Sequence, residues 1–127
     1  MKGVLLRGLR PSDEGFVIKG WRESYRDAAA VKGADRDHYR DEMARVIAHY
    51  CRIGLVRIAC SIDDSDQLLG FAVLLPDELV YVYVKQAFRK LGIARQLLEG
   101  LTISSYTFLS AQARPPKGWR FTPRWSG

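Results

Sequence analysis

Tyr81-Val82-Tyr83-Val84-Lys85-Gln86-Ala87-Phe88-Arg89-Lys90-Leu91-Gly92-Ile93-Ala94-Arg95-Gln96-Leu97-Leu98 reads as a strand, then a basic turn, then a helix opened by glycine. The first turn of a helix has unpaired backbone N–H groups and the positive end of the dipole, so it attracts phosphate. Gly92 and Ala94 are small enough to let a ligand approach the main chain, and Arg89, Lys90 and Arg95 add positive charge. The segment therefore predicts a cradle for a pyrophosphate. The competing reading is a merely basic connection on an unrelated α+β domain, with Arg89 and Lys90 as solvated charges. A dinucleotide fingerprint and a P-loop are both excluded, because neither GxGxxG nor GxxxxGK[ST] occurs.

The chain upstream alternates helical and extended patterns. Leu5–Leu9 reads as a first strand. Arg10-Pro11-Ser12-Asp13-Glu14 reads as a helix start with Ser12 as N-cap, and Val17, Trp21 and Tyr25 follow at spacing four. Lys32-Gly33-Ala34 interrupts this pattern and Asp35 can cap a second helix. That helix carries Tyr39, Met43, Val46, Ile47 and Tyr50 as one stripe, with Gly54 in the place of a C-terminal cap. Three strands follow. Leu55–Ile62 leads into the polar turn Asp63-Asp64-Ser65-Asp66, and Leu68–Leu75 is apolar almost throughout, as a strand covered on both faces should be. After Pro76-Asp77, Glu78–Val84 alternates, with Val80, Val82 and Val84 on one face and Leu79, Tyr81 and Tyr83 on the other. Ile93, Ala94, Leu97, Leu98 and Leu101 form a last helical stripe, followed by a strand expected at Ser105–Ser110.

Length and composition bound the rest. The 127 residues suffice for one domain, read as 1–127 with a basic and aromatic tail over 111–127. An apolar fraction of 47% and a charged fraction of 27% are ordinary for a globular chain. No apolar run approaches the roughly 20 residues of a membrane span, and the N-terminus is too weakly apolar for a signal peptide, so no membrane association and a cytoplasmic location are expected. Cys51 and Cys60 fit neither a redox motif nor a zinc site, and with only His38 and His49 besides, no metal is expected. The net charge of +6 favours an anionic partner without choosing one.

On these residues the sequence resembles the GCN5-related N-acetyltransferase (GNAT) superfamily, whose pyrophosphate motif is (Arg/Gln)-x-x-Gly-x-(Gly/Ala). Arg89-Lys90-Leu91-Gly92-Ile93-Ala94 matches it, as do the strand ending at Val84, Phe88 before the arginine, and the opening Leu-Arg-Pro-Ser-Asp-Glu. The resemblance covers residues 4–110. It implies an α+β GNAT fold, a central mixed and mainly antiparallel sheet flanked by helices, with acetyl-CoA as co-substrate. In that reading the backbone of Val82, Tyr83 and Val84 pairs with the pantetheine arm. The amides of Arg89, Lys90, Leu91, Gly92, Ile93, Ala94 and Arg95 hold the pyrophosphate, and a splay between this strand and Ser105–Ser110 admits the thioester.

Acyl transfer needs a base for the acceptor amine and an acid for the leaving thiolate. Glu78 lies on the loop-bearing strand, where the family often places a base; otherwise it is a solvated strand-end glutamate. Tyr106 follows the loop and is the candidate acid; otherwise it packs in the last strand. Typical members continue with a further helix and two strands, and Ala113-Arg114-Pro115-Pro116-Lys117-Gly118 cannot be a helix interior, so the fold is expected to be shortened at its C-terminus. Arg114, Lys117, Arg120 and Arg124 interleave with Trp119, Phe121 and Trp125. Such a tail either stacks on nucleic acid or anchors a C-terminal strand to the core or to a protein partner, including a second copy, and anchoring is the preferred reading. The short form looks like small GNAT-like proteins of tailed bacteriophages. Two functions follow: an acetyl-CoA-dependent N-acyltransferase of unknown amine acceptor, or an inactive GNAT scaffold that binds or builds, for instance in a virion.

Overall fold

The computed structural model describes residues 3–25, 35–106 and 120–121. Among the described residues six strands form one sheet in the order β1-β2-β3-β4-β5-β6: β1 Val4–Gly8, β2 Leu55–Ser61, β3 Asp64–Leu75, β4 Glu78–Val84, β5 Ser105–Tyr106 and β6 Arg120–Phe121. The first four pair antiparallel, whereas β4–β5 and β5–β6 are parallel, so the sheet is mixed and mainly antiparallel as expected. Helices α1 (Glu14–Tyr25) and α2 (Arg36–Ile53) cover one face. The short α3 (Ile93–Leu97) covers the other.

Each face has its own core. Val17, Trp21 and Tyr25 of α1 and Tyr39, Met43, Ile47 and Tyr50 of α2 pack on Val56, Ile58, Phe71, Val73, Val80 and Tyr81. These are the two stripes the sequence predicted. Opposite them, Ile93 and Leu97 pack on Ala59, Leu69, Ala72, Leu74 and Leu79. Strand β3 is buried on both faces over Leu69–Leu74 and lies in the middle of the sheet. The β3–β4 pair is unusually close at one point: a Cβ on Gly70 would lie 2.4 Å from the Tyr83 carbonyl oxygen, so only glycine fits there.

Four local expectations are corrected. Ser12 is not the N-cap; Pro11–Asp13 form a 3-10 turn, and the Asp13 carboxylate, 3% exposed, accepts from the Arg10 N–H at 2.7 Å. It is held there by Arg7 of β1, whose guanidinium donates to Asp13 Oδ2 at 2.6 Å, to Oδ1 at 3.0 Å and to the Ser65 carbonyl at 3.0 Å. Strand β2 ends at Ser61, and Asp64, Ser65 and Asp66 belong to β3 rather than to a turn. Helix α3 stops at Leu97, short of the stripe that reaches Leu101, because the chain leaves helical geometry at Leu98 and Gly100 adopts φ 79°. The fourth concerns β4 and bears on the site. Asp35, by contrast, caps α2 as expected, accepting from the His38 N–H at 2.9 Å, and Gly54 is its C-cap.

Candidate functional site

Strand β4 does not alternate as its sequence suggests. Val73 pairs with Tyr81 but the next residue, Leu74, pairs with Leu79, so Val80 is an extra residue bulged out of the ladder. Val80 and Tyr81, adjacent in the chain, therefore both enter the α1/α2 core. Beyond the bulge the faces are exchanged. Tyr83 lies with Phe71 toward α1, and Val82 and Val84 pack on the α3 side with Leu79. The expected partition of Val80, Val82 and Val84 from Leu79, Tyr81 and Tyr83 thus fails after Val80, because a bulge shifts the side-chain period by one residue.

The loop leaves β4 on this exchanged face. Gln86–Phe88 form a 3-10 turn, closed by Phe88 N–H donating to the Lys85 carbonyl at 2.9 Å. Arg89 folds back, its Nε donating to the Val84 carbonyl at 3.0 Å, which ties the loop to the end of the strand. Lys90 and Gly92 then both take left-handed φ values, 66° and 79°. A lysine held there costs of order 1–2 kcal/mol, a strain that concentrates at functional loops. Left-handed residues in such a loop turn successive N–H groups into a concavity that suits an anion. The N–H groups of Lys90, Leu91, Gly92, Ile93, Ala94 and Arg95 have no hydrogen-bond partner among the described residues. Around Gly92 there is room, since a Cβ would meet nothing within 4 Å; the turn is open, not crowded. Arg89, Lys90, Leu91, Gly92, Ala94 and Arg95 are exposed, while Ile93 is buried and pins the start of α3 to the sheet. A helix of five residues carries little macrodipole, so the loop amides and side-chain charges supply most of the attraction.

Sequence reasoning missed the residue that fixes the other end of α3. Arg57 of β2 donates from Nη1 to the carbonyls of Leu97 at 3.2 Å and Glu99 at 3.0 Å. It satisfies acceptors that a helix end leaves open and brings positive charge to the negative pole. An arginine inside the otherwise apolar run Leu55–Ala59 was the available signal.

Glu78 and Tyr106 lie at the far end of β4 from the loop, without facing each other. In the parallel ladder Glu78 lies beside Ser105, and Leu79 beside Tyr106. Ser104 and Ser105 both donate main-chain N–H groups to the Asp77 carbonyl, at 2.9 and 3.3 Å, which docks β5 against this corner. Glu78 is 7% exposed, so it is a buried carboxyl rather than a solvated strand-end residue. It pairs with Leu75, which packs on the α1/α2 side, whereas Tyr106 packs with Leu79 on the α3 side. The two candidates thus sit one register position apart on opposite faces. From Glu78 to Val84 the strand spans roughly 20 Å at about 3.3 Å per residue. The rest of the expected strand Ser105–Ser110, and with it the splay, lies outside the described residues, as does the tail except for Arg120–Phe121, whose backbone extends the sheet as β6.

Burial, with help from Glu14, pushes Cys51 up to about 11, and Cys60 is fully buried with its thiol directed to the Leu5 carbonyl. Among the described residues no group of three or more His, Cys, Asp or Glu could hold a metal, and no helix is long and apolar enough to cross a membrane.

No family model matches the sequence, and no curated protein matches it. Solved structures do match the fold. YjaB from Escherichia coli, in its apo form, superposes with a TM-score of 0.58 at 20% identity over 76% of this chain and 63% of its own. A GCN5-related N-acetyltransferase from Rhodopseudomonas palustris gives 0.56 at 21% identity over 77% and 62%. A GNAT-family acetyltransferase from Staphylococcus aureus Mu50 gives 0.52 at 18% over 76% and 61%. The fold is that of the GCN5-related N-acetyltransferases. The chain spans somewhat over 60% of the length of these GNAT-fold proteins. Within this GNAT fold, the open basic loop lies between the half-buried end of β4 and the start of α3.

Proposed function

We propose that the chain binds acetyl-CoA along β4 and the loop that follows it, and transfers the acetyl group to an amine. The observation that carries this reading is the run of unengaged N–H groups from Lys90 to Arg95, bent outward by two left-handed residues and flanked by Arg89, Lys90 and Arg95. A pyrophosphate suits that surface, and the main chain of Val82, Tyr83 and Val84 would pair with the amide groups of the pantetheine arm. The thioester would then lie toward the β4–β5 junction. In the transfer, the acceptor nitrogen attacks the thioester carbonyl carbon and loses a proton. The tetrahedral adduct collapses by breaking the C–S bond, and the thiolate takes up a proton. Glu78, a carboxylate partly withdrawn from water, is assigned the first proton and Tyr106 the second. Their opposite faces suit an amine arriving from one side of the sheet and a thiol leaving on the other.

Calorimetry with acetyl-CoA on wild type, Gly92→Asn and Gly92→Asp tests the binding half. Both side chains tolerate a left-handed backbone better than most, so the pair differs mainly in one negative charge. Asp is expected to weaken binding about tenfold or more relative to Asn; equal affinities would remove the loop from the site. Thiol release with a panel of polyamines, peptides and aminated nucleosides tests the chemistry. Tight binding with no release on any amine would favour the non-catalytic scaffold, including a virion component, and release undiminished in Glu78→Gln would remove Glu78 as the base.

A further inference from the structure

We infer that Arg89 is a latch on the donor edge of β4: its side chain and the arm of the acyl donor compete for the Val84 carbonyl, and a phosphate on the loop releases it. This rests on the reading of β4 and its loop as the donor site. One peptide shows which edge is involved. Lys85 N–H donates to the Leu69 carbonyl of β3 at 2.8 Å. In a planar trans peptide the N–H and C=O point opposite ways, so the Val84 carbonyl, which shares that peptide, points away from β3. Strand β4 has β3 on one side and β5 on the other, so this carbonyl faces the β5 side. Among the described residues β5 pairs with β4 only at Glu78 and Leu79. The Val84 carbonyl is thus an acceptor beyond that ladder, on the edge where a pantetheine arm would pair.

Arg89 already holds that acceptor. Its Nε donates there at 3.0 Å, and among the described residues this is the only hydrogen bond of the guanidinium, which makes no ion pair. The side chain therefore runs from the first residue of the cradle back to the last residue of the strand. A ligand that joins a pyrophosphate at Lys90–Arg95 to an arm along Val82–Val84 must cross that line. Both partners gain from the exchange. An arm amide N–H replaces Nε on the carbonyl. The guanidinium, which is exposed, exchanges a neutral acceptor for a phosphate, and such a charge-assisted bond is roughly twice as strong. The two halves of the donor should consequently bind with positive coupling, because the phosphate half frees the carbonyl that the arm half needs.

NMR titration with two fragments, ADP and acetyl-pantetheine, reads the coupling. In wild type, saturating ADP should tighten acetyl-pantetheine about three- to tenfold, the equivalent of one net hydrogen bond. In Arg89→Ala, acetyl-pantetheine should bind as tightly without ADP as it does to wild type with it, and ADP should add nothing. Arg95 belongs to the same cradle but makes no hydrogen bond to β4 among the described residues, so Arg95→Ala should weaken ADP and keep the coupling. NOEs from Arg89 Hε to Val84 and Lys85 should be present in the protein alone and lost in the acetyl-CoA complex. They decide the latch if the fragments bind too weakly to titrate. Absence of coupling in wild type, equal loss of coupling in Arg95→Ala, or Arg89 NOEs that persist in the complex overturns the inference. A wild type that binds no acetyl-CoA overturns the donor-site reading and the latch together, whereas acetyl-CoA binding without coupling removes the latch alone.

Discussion

Replacing Asp13 by alanine should be among the most damaging single changes in the described part of this protein. The Arg7 side chain is only 11% exposed and that of Asp13 only 4%. Asp13 accepts two hydrogen bonds from the Arg7 guanidinium, at 2.6 and 3.0 Å, and a third from the Arg10 N–H at 2.7 Å. Alanine leaves a largely buried guanidinium with only the Gly8 and Ser65 carbonyls as acceptors. Removing one partner of a buried ion pair costs about 3–5 kcal/mol. For a chain of this length that is on the order of 10–20 °C in Tm. The Arg7 hydrogen bond also holds the Asp13 carboxyl below its ordinary value of 3.8. A group whose folded value is depressed contributes stability that is fully present above the unfolded value and is lost as pH falls through the folded one. The gap between wild type and Asp13→Asn in urea unfolding should therefore be full at neutral pH and narrow below 3.8. Substituting both partners, Arg7→Met with Asp13→Leu, should recover much of the loss, since apolar replacements of a buried pair are often near neutral. A cost below about 1 kcal/mol for Asp13→Ala, the size of a surface pair, would refute the reasoning.

Two further outcomes are expected. Arg57→Met removes the donors that hold the Leu97 and Glu99 carbonyls, so α3 should fray, with acetyl-CoA affinity reduced several-fold in calorimetry and Tm lowered by a few degrees. An unchanged affinity would show that the end of α3 does not govern the loop. Deleting Lys117–Gly127 removes β6 from the edge of β5 and should lower Tm by several degrees; an unchanged Tm with a flatter salt dependence of nucleic-acid binding would instead assign the tail to phosphates.

Much of this protein was legible one residue at a time. The helical stripes Val17–Trp21–Tyr25 and Tyr39–Met43–Ile47–Tyr50 and the buried run of β3 announced themselves because one periodicity matched one burial pattern. The basic glycine turn at Arg89–Ala94 was readable for a similar reason: the special backbone and the charges it needs are both local. What depended on pairing was hidden. The Val80 bulge follows from how β4 lies on β3 and α1, and a strand that is apolar on both faces carries no polar mark to show where its alternation slips. Arg57 reaching α3 from β2, Arg7 meeting Asp13 beneath the first turn, and the β4–β5 pairing that sets Glu78 and Tyr106 one register position apart on opposite faces likewise depend on how elements meet. A linear pattern encodes which face a residue prefers. Which neighbour waits on that face is decided only when the sheet is assembled.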